Sequence, residues 1–169
     1  MALIAQLLPL LEQIAAYDKE ITALFLSHPD SEIGASLPGA GKRLAPRLLD
    51  EIGDERERYA HAVNLQALAG TWPVPYESGN YSQIRRRFAC IKPLRNALYQ
   101  FAWQSTQQEE WAAAYYHRKR TEGKSHSEAV RALSNNWLRI IQAMWRNKQS
   151  YKSATFQQAP HTHAQRAAA

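Results

Sequence analysis

The strongest structural signal in the chain is Ser125-His-Ser-Glu-Ala-Val-Arg-Ala-Leu-Ser-Asn-Asn-Trp-Leu-Arg-Ile-Ile-Gln-Ala-Met-Trp145. Ser125 and Glu128 have the S-x-x-E spacing of a capping box, in which the two side chains satisfy free N–H groups at the start of a helix. Apolar residues then recur at helical spacing: Val130, Leu133, Trp137, Leu138, Ile141, Met144 and Trp145. This stretch predicts a long helix with one buried face.

The rest of the chain carries signals of the same kind. Helical spacing and helix-starting residues predict further helices over residues 3–26, 47–52, 54–70, 93–105 and 109–121. Asp54 is the expected N-cap of one of them, and Pro93 suits the first turn of another. No stretch alternates apolar and polar residues with the period of two that marks a half-buried strand. The predicted fold class is therefore all-α, a small multi-helix domain.

The helix predicted over residues 3–26 is long and amphipathic, like one arm of a coiled coil. Its apolar seam can pack within the fold or against another chain, and we expect a homo-oligomer that pairs through it. The chain divides into a helical arm over residues 1–30, a helical domain over 31–151 and a disordered tail over 152–169, where periodicity is lost. His161 and His163 lie in that tail without acidic or cysteine partners, so no metal site is expected there.

The composition is that of a folded protein with a basic surface. Of 169 residues, 45% are hydrophobic and 21% charged, and the net charge is +6 with a pI near 9.6. Such a balance favours polyanionic partners. Cys90 is the single cysteine, which excludes an intrachain disulfide, and its apolar neighbours predict a buried small side chain. The apolar start lacks a basic segment and contains Pro9, so we expect no signal peptide, no membrane partner and a cytoplasmic location.

A glycine turn, Leu37-Pro-Gly-Ala-Gly41, precedes a short helix. Its glycines allow a tight turn that aims N–H groups outward, an arrangement that binds phosphate oxygen. The spacing looks like a helix-hairpin-helix element, which contacts nucleic-acid backbones through residues such as Gly39, Gly41, Lys42 and Arg43. The alternative is a turn that only reverses the chain.

A second basic segment follows in the middle of the chain. Its candidate nucleic-acid-binding residues are Arg85, Arg86, Arg87, Lys92 and Arg95. Tyr81 and Phe88 lie among them, and cations beside aromatic rings suit phosphate contact and base stacking. The alternative is a solvated charged face, which is the reading we favour for Arg118, Lys119 and Arg120.

Ser78 lies in a loop that we expect to be extended, because Pro73, Pro75 and Gly79 keep residues 71–80 out of a helix. A serine beside glycine is open to an incoming phosphodiester, but attack needs activation by a base or a metal. On its own the Ser-Gly pair is ordinary turn chemistry. The acidic residues Asp50, Glu51, Asp54 and Glu55 look like helix caps and solvated charges, and no metal site is predicted in the chain.

Three segments together resemble the C-terminal domain of the IS110 family of insertion-sequence transposases (IS116/IS902 type). They are Leu37-Pro-Gly-Ala-Gly-Lys-Arg-Leu-Ala-Pro-Arg-Leu-Leu-Asp-Glu-Ile-Gly53, Ala69-Gly-Thr-Trp-Pro-Val-Pro-Tyr-Glu-Ser-Gly79 and Tyr115-Tyr-His-Arg-Lys-Arg-Thr-Glu-Gly-Lys-Ser-His126. The resemblance implies a recombinase in which an N-terminal RuvC-like domain holds Mg²⁺ on acidic residues and this helical domain supplies Ser78 as nucleophile. It further implies a phosphoserine link to DNA, a structured guide RNA, multimers on DNA and a place at the bacterial nucleoid.

The sequence contains no RuvC-like strand pattern, so the metal-binding half is absent from it. We expect part of a transposase or site-specific recombinase that binds DNA, is inactive alone and contributes to DNA transposition when joined to that half. The alternative is a truncated, non-catalytic nucleic-acid-binding module. A helix-hairpin-helix repair protein would account for Gly39 and Gly41 but not for the loop with Ser78.

Overall fold

The computed structural model describes residues 2–154, and of Ala2 and Arg56 the backbone alone. The α-helices are α1 (Ala2–Ser27), α2 (Ser31–Ala35), α3 (Gly41–Ile52), α4 (Ala62–Leu68), α5 (Lys92–Ser105), α6 (Glu110–Thr121) and α7 (His126–Asn147). A 3₁₀ turn covers Arg56–Tyr59, and two strands, β1 (Val74–Ser78) and β2 (Tyr81–Arg85), form one hairpin. The helical fold class is confirmed. His161, His163 and the predicted tail from residue 155 onward lie outside the described residues.

Helix α7 is the centre of the core. Its capping box forms as predicted, with the Glu128 N–H donating to Ser125 Oγ and the Ser125 N–H donating to the Glu128 carboxylate. Trp137 is fully buried, packs edge-on against Phe101 of α5 at 4.9 Å between ring centroids, and donates from Nε1 to Ser105 Oγ over 2.8 Å. Helices α4, α5 and α6 all pack against α7, so it fixes where each of them lies.

The hairpin corrects the prediction that the chain has no strand. β1 and β2 pair antiparallel, and every one of their residues except Val74 is exposed. A strand with solvent on both faces has no reason to alternate apolar and polar residues, so the period-two signal is missing. The local chemistry nonetheless favours this turn: Gly79 is the first of two central residues and has φ +57°, as a type II′ turn requires.

Two predicted helix starts are also wrong. Asp54 caps no helix; its carboxylate lies 2.9 Å from His28 Nε2, and the segment breaks into the 3₁₀ turn and α4, with His61 at the N-cap position. Helix α3 begins at Gly41, six positions before the predicted start, and includes Pro46.

Helix α1 contacts the domain through its C-terminal half. Phe25 lies against Gly34 of α2, where an added Cβ would be 3.2 Å from the ring. Arg43 Nη2 of α3 donates to Asp18 Oδ2 over 2.8 Å. Towards its start, α1 leaves large apolar side chains exposed, from 48% at Ile14 to 81% at Leu3. None of the helices within residues 2–154 is long and apolar enough to span a membrane.

The segment after α7 contacts the C-terminal end of α2. Lys148 ends α7 in a left-handed conformation with φ +51°, and the chain then runs back so that the Tyr151 N–H donates to Ser36 Oγ over 2.8 Å. Tyr151 also accepts a hydrogen bond from Trp111 Nε1, and burial raises the pKa of its hydroxyl to about 12. Ser153 donates to Glu109. These contacts hold residues 149–153 beside the glycine turn.

Candidate nucleic-acid interface

The glycine turn joins α2 to α3 and is anchored from below by two buried residues, Leu37 and Ala40. Gly39 and Gly41 both have left-handed φ angles, +77° and +57°. Gly39 rests on the C-terminal end of α5, since a Cβ there would lie 3.0 Å from the backbone carbonyl carbon of Gln104. Gly41 opens α3 and has nothing within 4 Å of its Cβ position. The turn is therefore fixed on one side and open on the other.

The open side carries the first turn of α3, whose N–H groups have no partner within the helix. Lys42 is exposed there. Arg43, also predicted to contact nucleic acid, forms an ion pair with Asp18, and 76% of its side chain is exposed. The positive end of α3 and Lys42 thus form the part of this surface that is available to an anion.

Ser78 is the last residue of β1, at the exposed tip of the hairpin. The register places it opposite Tyr81, with Tyr76 opposite Gln83 and Val74 opposite Arg85. Because side chains alternate between faces along a strand, these residues share the Ser78 face, whereas Glu77 and Ser82 project from the other.

The side chains on the Ser78 face form a connected layer. The Arg85 guanidinium lies 3.9 Å from the centroid of the Tyr76 ring, and Tyr76 meets Tyr81 edge-on at 6.3 Å. Tyr81 Oη donates to Gln83 Oε1 over 2.8 Å, and Arg85 Nε approaches the same oxygen at 3.5 Å. These contacts hold a cation and two aromatic rings on the face of the hairpin that carries the serine hydroxyl.

The Ser78 hydroxyl itself is free of hydrogen bonds within residues 2–154, and no histidine or carboxylate among them bonds to it. No group of three or more His, Cys, Asp or Glu side chains in the same residues is arranged to hold a metal ion. The site therefore provides an accessible hydroxyl and positive charge, but it provides neither a proton acceptor nor a ligand set for the Mg²⁺ that the sequence resemblance implies.

The remaining basic residues continue from β2 towards α5. Arg86 lies 5.7 Å from the ring centroid of Phe88, which is 79% exposed, and Arg87 Nε donates to the Ala89 carbonyl. Lys92 is exposed in the first turn of α5. Arg95 is half-buried and donates from Nη1 to Cys90 Sγ over 3.3 Å. Cys90 is itself half-buried, so the prediction of a buried thiol is met only in part.

The base of the hairpin is rigidly joined to the domain. Gly70 has φ +68°, and an added Cβ would lie 2.8 Å from Cys90. The Ile91 N–H donates to the Leu68 carbonyl over 2.8 Å. Buried Thr71 donates to Asn135 Oδ1 of α7. The two ends of the hairpin segment are thus fixed, and its exposed tip projects from them.

The predicted binding residues fall into two groups at opposite ends of α5. Gly39 lies against Gln104, near the end of that helix, whereas Lys92 and Arg95 are in its first turns. Twelve helical residues separate Lys92 from Gln104, which corresponds to roughly 18 Å. The glycine turn and the hairpin are therefore separate candidate contact surfaces.

Sequence reasoning missed Tyr76 and Gln83 as members of the Ser78 face. The signal that could have placed them was the Gly79-Asn80 pair between two segments rich in Tyr, Val and Ile, which is a hairpin pattern. Once the hairpin is assumed, the register follows from the two-residue turn.

An exposed hairpin that leads into three consecutive arginines and a glycine turn at a helix N-terminus are features of a domain that contacts polyanions. The profile of the transposase IS116/IS110/IS902 family matches residues 32–117, a range that contains the glycine turn, the hairpin and the start of α5. The chain belongs to this family.

Individual members of the family are similar over most of the chain. It is 40% identical over 140 residues to the "Mini-circle putative transposase for IS117" of Streptomyces coelicolor, covering 79% of this chain and 34% of that protein. It is 36% identical over 144 residues to the 42 kDa protein of insertion element IS900 of Mycobacterium paratuberculosis, covering 85% and 36%. It is 31% identical over 145 residues to the 43.6 kDa protein of IS110 of Streptomyces coelicolor, covering 84% and 35%. The chain thus spans about a third of the length of these relatives.

Proposed function

We propose that this domain binds DNA during transposition and supplies Ser78 as the nucleophile that cleaves and transfers a DNA strand. The observation that carries the proposal is the Ser78 face: an exposed hydroxyl without a competing hydrogen bond, on the same side of a hairpin as Arg85 and two tyrosine rings. A DNA backbone laid along this face meets the guanidinium over the Tyr76 ring and then the hydroxyl of Ser78, two residues or about 7 Å further along β1 than Tyr76.

The proposed step exchanges one phosphodiester for another. A bond forms between Ser78 Oγ and phosphorus, one P–O ester bond of the DNA breaks, and the departing sugar oxygen takes up a proton. Because the number of ester bonds is unchanged, a later attack by a DNA hydroxyl can release the serine and join a new strand. The Oγ proton leaves to a base, and no base is hydrogen-bonded to Ser78 within residues 2–154, since the neighbouring Glu77 is on the other face of the hairpin. The proposal therefore assigns the base and the Mg²⁺ of the intact enzyme to the part of a full-length transposase that this chain does not span.

Four basic side chains neutralise the phosphates around the serine: Arg85, Arg86, Arg87 and Lys92. The chain carries a net charge of +6, and each phosphate contact releases condensed counterions, which makes binding dependent on salt. A structured guide RNA offers the same polyanionic backbone, and the proposal includes it as a second ligand. The glycine turn at the other end of α5 has the geometry to hold a further backbone segment without reading its sequence.

A second candidate function is a nucleic-acid-binding module without catalysis. The observation that favours it is that no activating group is hydrogen-bonded to Ser78 in the described residues. Both candidates predict binding, and they differ in whether a covalent bond to DNA forms at Ser78.

The deciding experiment compares Ser78→Ala with wild type in a full-length IS110-family transposase that carries this domain. End-labelled DNA, Mg²⁺ and a denaturing gel detect the covalent adduct, and a filter assay measures binding. We expect Ser78→Ala to abolish the adduct and leave binding unchanged. Ser82→Ala is the matched control, because Ser82 is in the same hairpin on the opposite face. Strand cleavage that persists in Ser78→Ala would remove the nucleophile assignment.

The binding half of the proposal is tested on this chain alone. Replacing Arg85, Arg86 and Arg87 by glutamine is expected to weaken duplex binding and to lower the salt slope by roughly 0.9 for each phosphate that the protein no longer neutralises. An unchanged slope would show that these arginines do not contact phosphates.

A further inference from the structure

A cluster of aromatic rings lies where α5, α6 and α7 meet, outside both surfaces described above. Trp103 of α5 contacts Tyr116 of α6 edge-on at 5.3 Å and His126 of α7 at 5.0 Å. Tyr116 and His126 are 5.7 Å apart, and Tyr99 completes the cluster at 6.0 Å from His126. A 2.9 Å hydrogen bond between Tyr116 Oη and His126 Nδ1 fixes two of the rings relative to each other.

These rings belong to the surface rather than to the core. Trp103 is 38% exposed, His126 is exposed, and Tyr99 and Tyr116 are half-buried. The rings of the core, Phe101 and Trp137, are completely buried on the other side of α5. A large side chain such as tryptophan is usually mostly covered in a folded protein, so a group of partly exposed rings with fixed orientation is a candidate contact surface.

Between residues 116 and 128 basic side chains outnumber acidic ones, with Arg118, Lys119, Arg120 and Lys124 against Glu122 and Glu128. Arg120 is one helical turn beyond Tyr116, and its Nη1 donates to the Lys124 carbonyl over 2.8 Å, which brings it to the turn before His126. Within residues 2–154 neither Arg120 nor Lys124 forms an ion pair. Lys119, by contrast, is bound to Glu122, and that hydrogen bond lowers the pKa of the Glu122 carboxyl. Two cations without a carboxylate at ion-pair distance in the described residues therefore flank the exposed rings.

We propose that Trp103, Tyr116 and His126 form a stacking platform for an unpaired nucleotide, with Arg120 and Lys124 on the neighbouring phosphates. The inference rests on the proposed function, that this domain binds nucleic acid, and adds the kind of strand that is bound. An exposed ring can stack on a base only where the base is not already covered by its neighbours in a duplex, as in single strands and RNA loops.

The position of the cluster makes it distinct from the hairpin. Trp103 precedes Gln104, on which Gly39 rests, so the platform is at the glycine-turn end of α5. Lys92, the first basic residue of α5, is eleven helical residues away from Trp103, or about 16 Å. A duplex on the hairpin and an unpaired segment on the platform can therefore be held at the same time, at opposite ends of one helix.

The test uses this chain with three fluorescein-labelled probes: oligo(dT), oligo(U) and a blunt DNA duplex. Trp103→Leu removes the ring and keeps apolar bulk. We expect it to weaken binding of at least one of the two single-stranded probes by about tenfold, without changing the salt slope, and to leave duplex binding unaltered. Trp103→Phe, which restores a ring, is expected to recover most of the affinity. The two single-stranded probes distinguish DNA from RNA as the source of the nucleotide.

The salt dependence of single-strand binding distinguishes the contribution of the charges from that of the rings. Arg120→Gln and Lys124→Gln should each lower the salt slope for single strands by roughly 0.7. Tyr17→Leu is the matched control, since Tyr17 is a 64% exposed ring on α1. Thermal melts confirm that each variant is folded.

The outcomes also separate this inference from the function on which it rests. If wild type binds the duplex and Trp103→Leu binds both single strands as tightly as wild type, the cluster merely packs three helices together and the inference is wrong. An equal loss on duplex and single strands would likewise overturn it. If wild type binds none of the probes at any salt concentration, the proposed binding function fails as well.

Discussion

Gly39 and Gly41 are two residues apart and share a left-handed backbone, but they have different surroundings. Alanine at either position strains the backbone by about 1–2 kcal/mol. At Gly39 the new methyl would also meet the Gln104 backbone at 3.0 Å, whereas at Gly41 it would project into open space. We therefore expect Gly39→Ala to lower the free energy of unfolding clearly more than Gly41→Ala.

Urea unfolding of the two variants measures this difference directly. Gly123→Ala is a suitable reference, because Gly123 also has a positive φ, +81°, and no neighbour within 4 Å. Equal losses at all three positions would show that the turn moves away from α5 without cost, and that it is not held in the geometry on which a phosphate contact depends.

At the scale of one element, the start of α7 couples stability to pH. Both Ser125 N and Ser125 Oγ donate to Glu128 Oε2, over 2.9 and 2.8 Å, and the backbone bond from Ser125 is the main reason why the pKa of Glu128 lies below its usual value near 4.5. A carboxyl whose pKa is lower in the folded state stabilises that state above its unfolded pKa and loses the effect as pH falls through the folded pKa.

The expected result is that Glu128→Gln destabilises the domain most above about pH 5, and that its difference from wild type shrinks as pH falls below 4.5. Ser125→Ala, which removes the cap hydroxyl, should cost about 1 kcal/mol at neutral pH. Urea titrations across this pH range provide the measurement. Glu12→Gln, on the exposed part of α1, controls for the general effect of losing a carboxylate. A difference that did not depend on pH would contradict the role of the charged form.

The elements also show what local sequence determines. The start of α7 follows from Ser125 and Glu128, which are neighbours in the chain, and the predicted start of α5 is within one residue because Pro93 acts locally. Asp54 failed as a cap because its carboxylate finds His28, 26 positions away. The hairpin gave no periodic signal because solvent covers both faces. Ser78 and the arginines could be named as candidates from the sequence, but the layer of Tyr76, Gln83 and Arg85 beside Ser78 depends on strand register.

Across the whole molecule, α5 separates the hairpin from the aromatic platform, and α7 holds both in place. The hairpin is joined to α7 through Thr71 and Asn135, and the platform includes His126 at the start of the same helix. Gln66, which is completely buried, adds a hydrogen bond from Nε2 to the Asn135 carbonyl. The domain thereby presents two surfaces with a fixed separation, as the proposed binding of two nucleic-acid segments requires.

The helical arm, α1, differs from these fixed surfaces, because its apolar stripe extends beyond the domain. Asp18 and Phe25 face α3 and α2, and Leu7, Leu11 and Ile14 continue the same stripe at helical spacing with 48–54% of their surface exposed. Fully burying a large aliphatic side chain contributes about 1.5–3 kcal/mol, and about half of each of these three side chains is still exposed and can be covered by a second copy. We expect the chain to self-associate through this stripe, in line with the predicted homo-oligomer.

Replacing Leu7, Leu11 and Ile14 together by glutamine should convert the oligomer to a 19.2 kDa monomer in sedimentation velocity, with the domain still folded because those side chains lie outside its core. Ala5→Gln, Glu12→Gln and Ala16→Gln provide the matched control, since these positions lie on the opposite side of α1. If wild type sediments as a monomer at every concentration, or if both triple variants dissociate alike, the stripe is not the interface. Weaker duplex affinity in the monomeric variant, with an unchanged salt slope per chain, would show that the Arg85, Arg86 and Arg87 segments of two chains act together on one DNA.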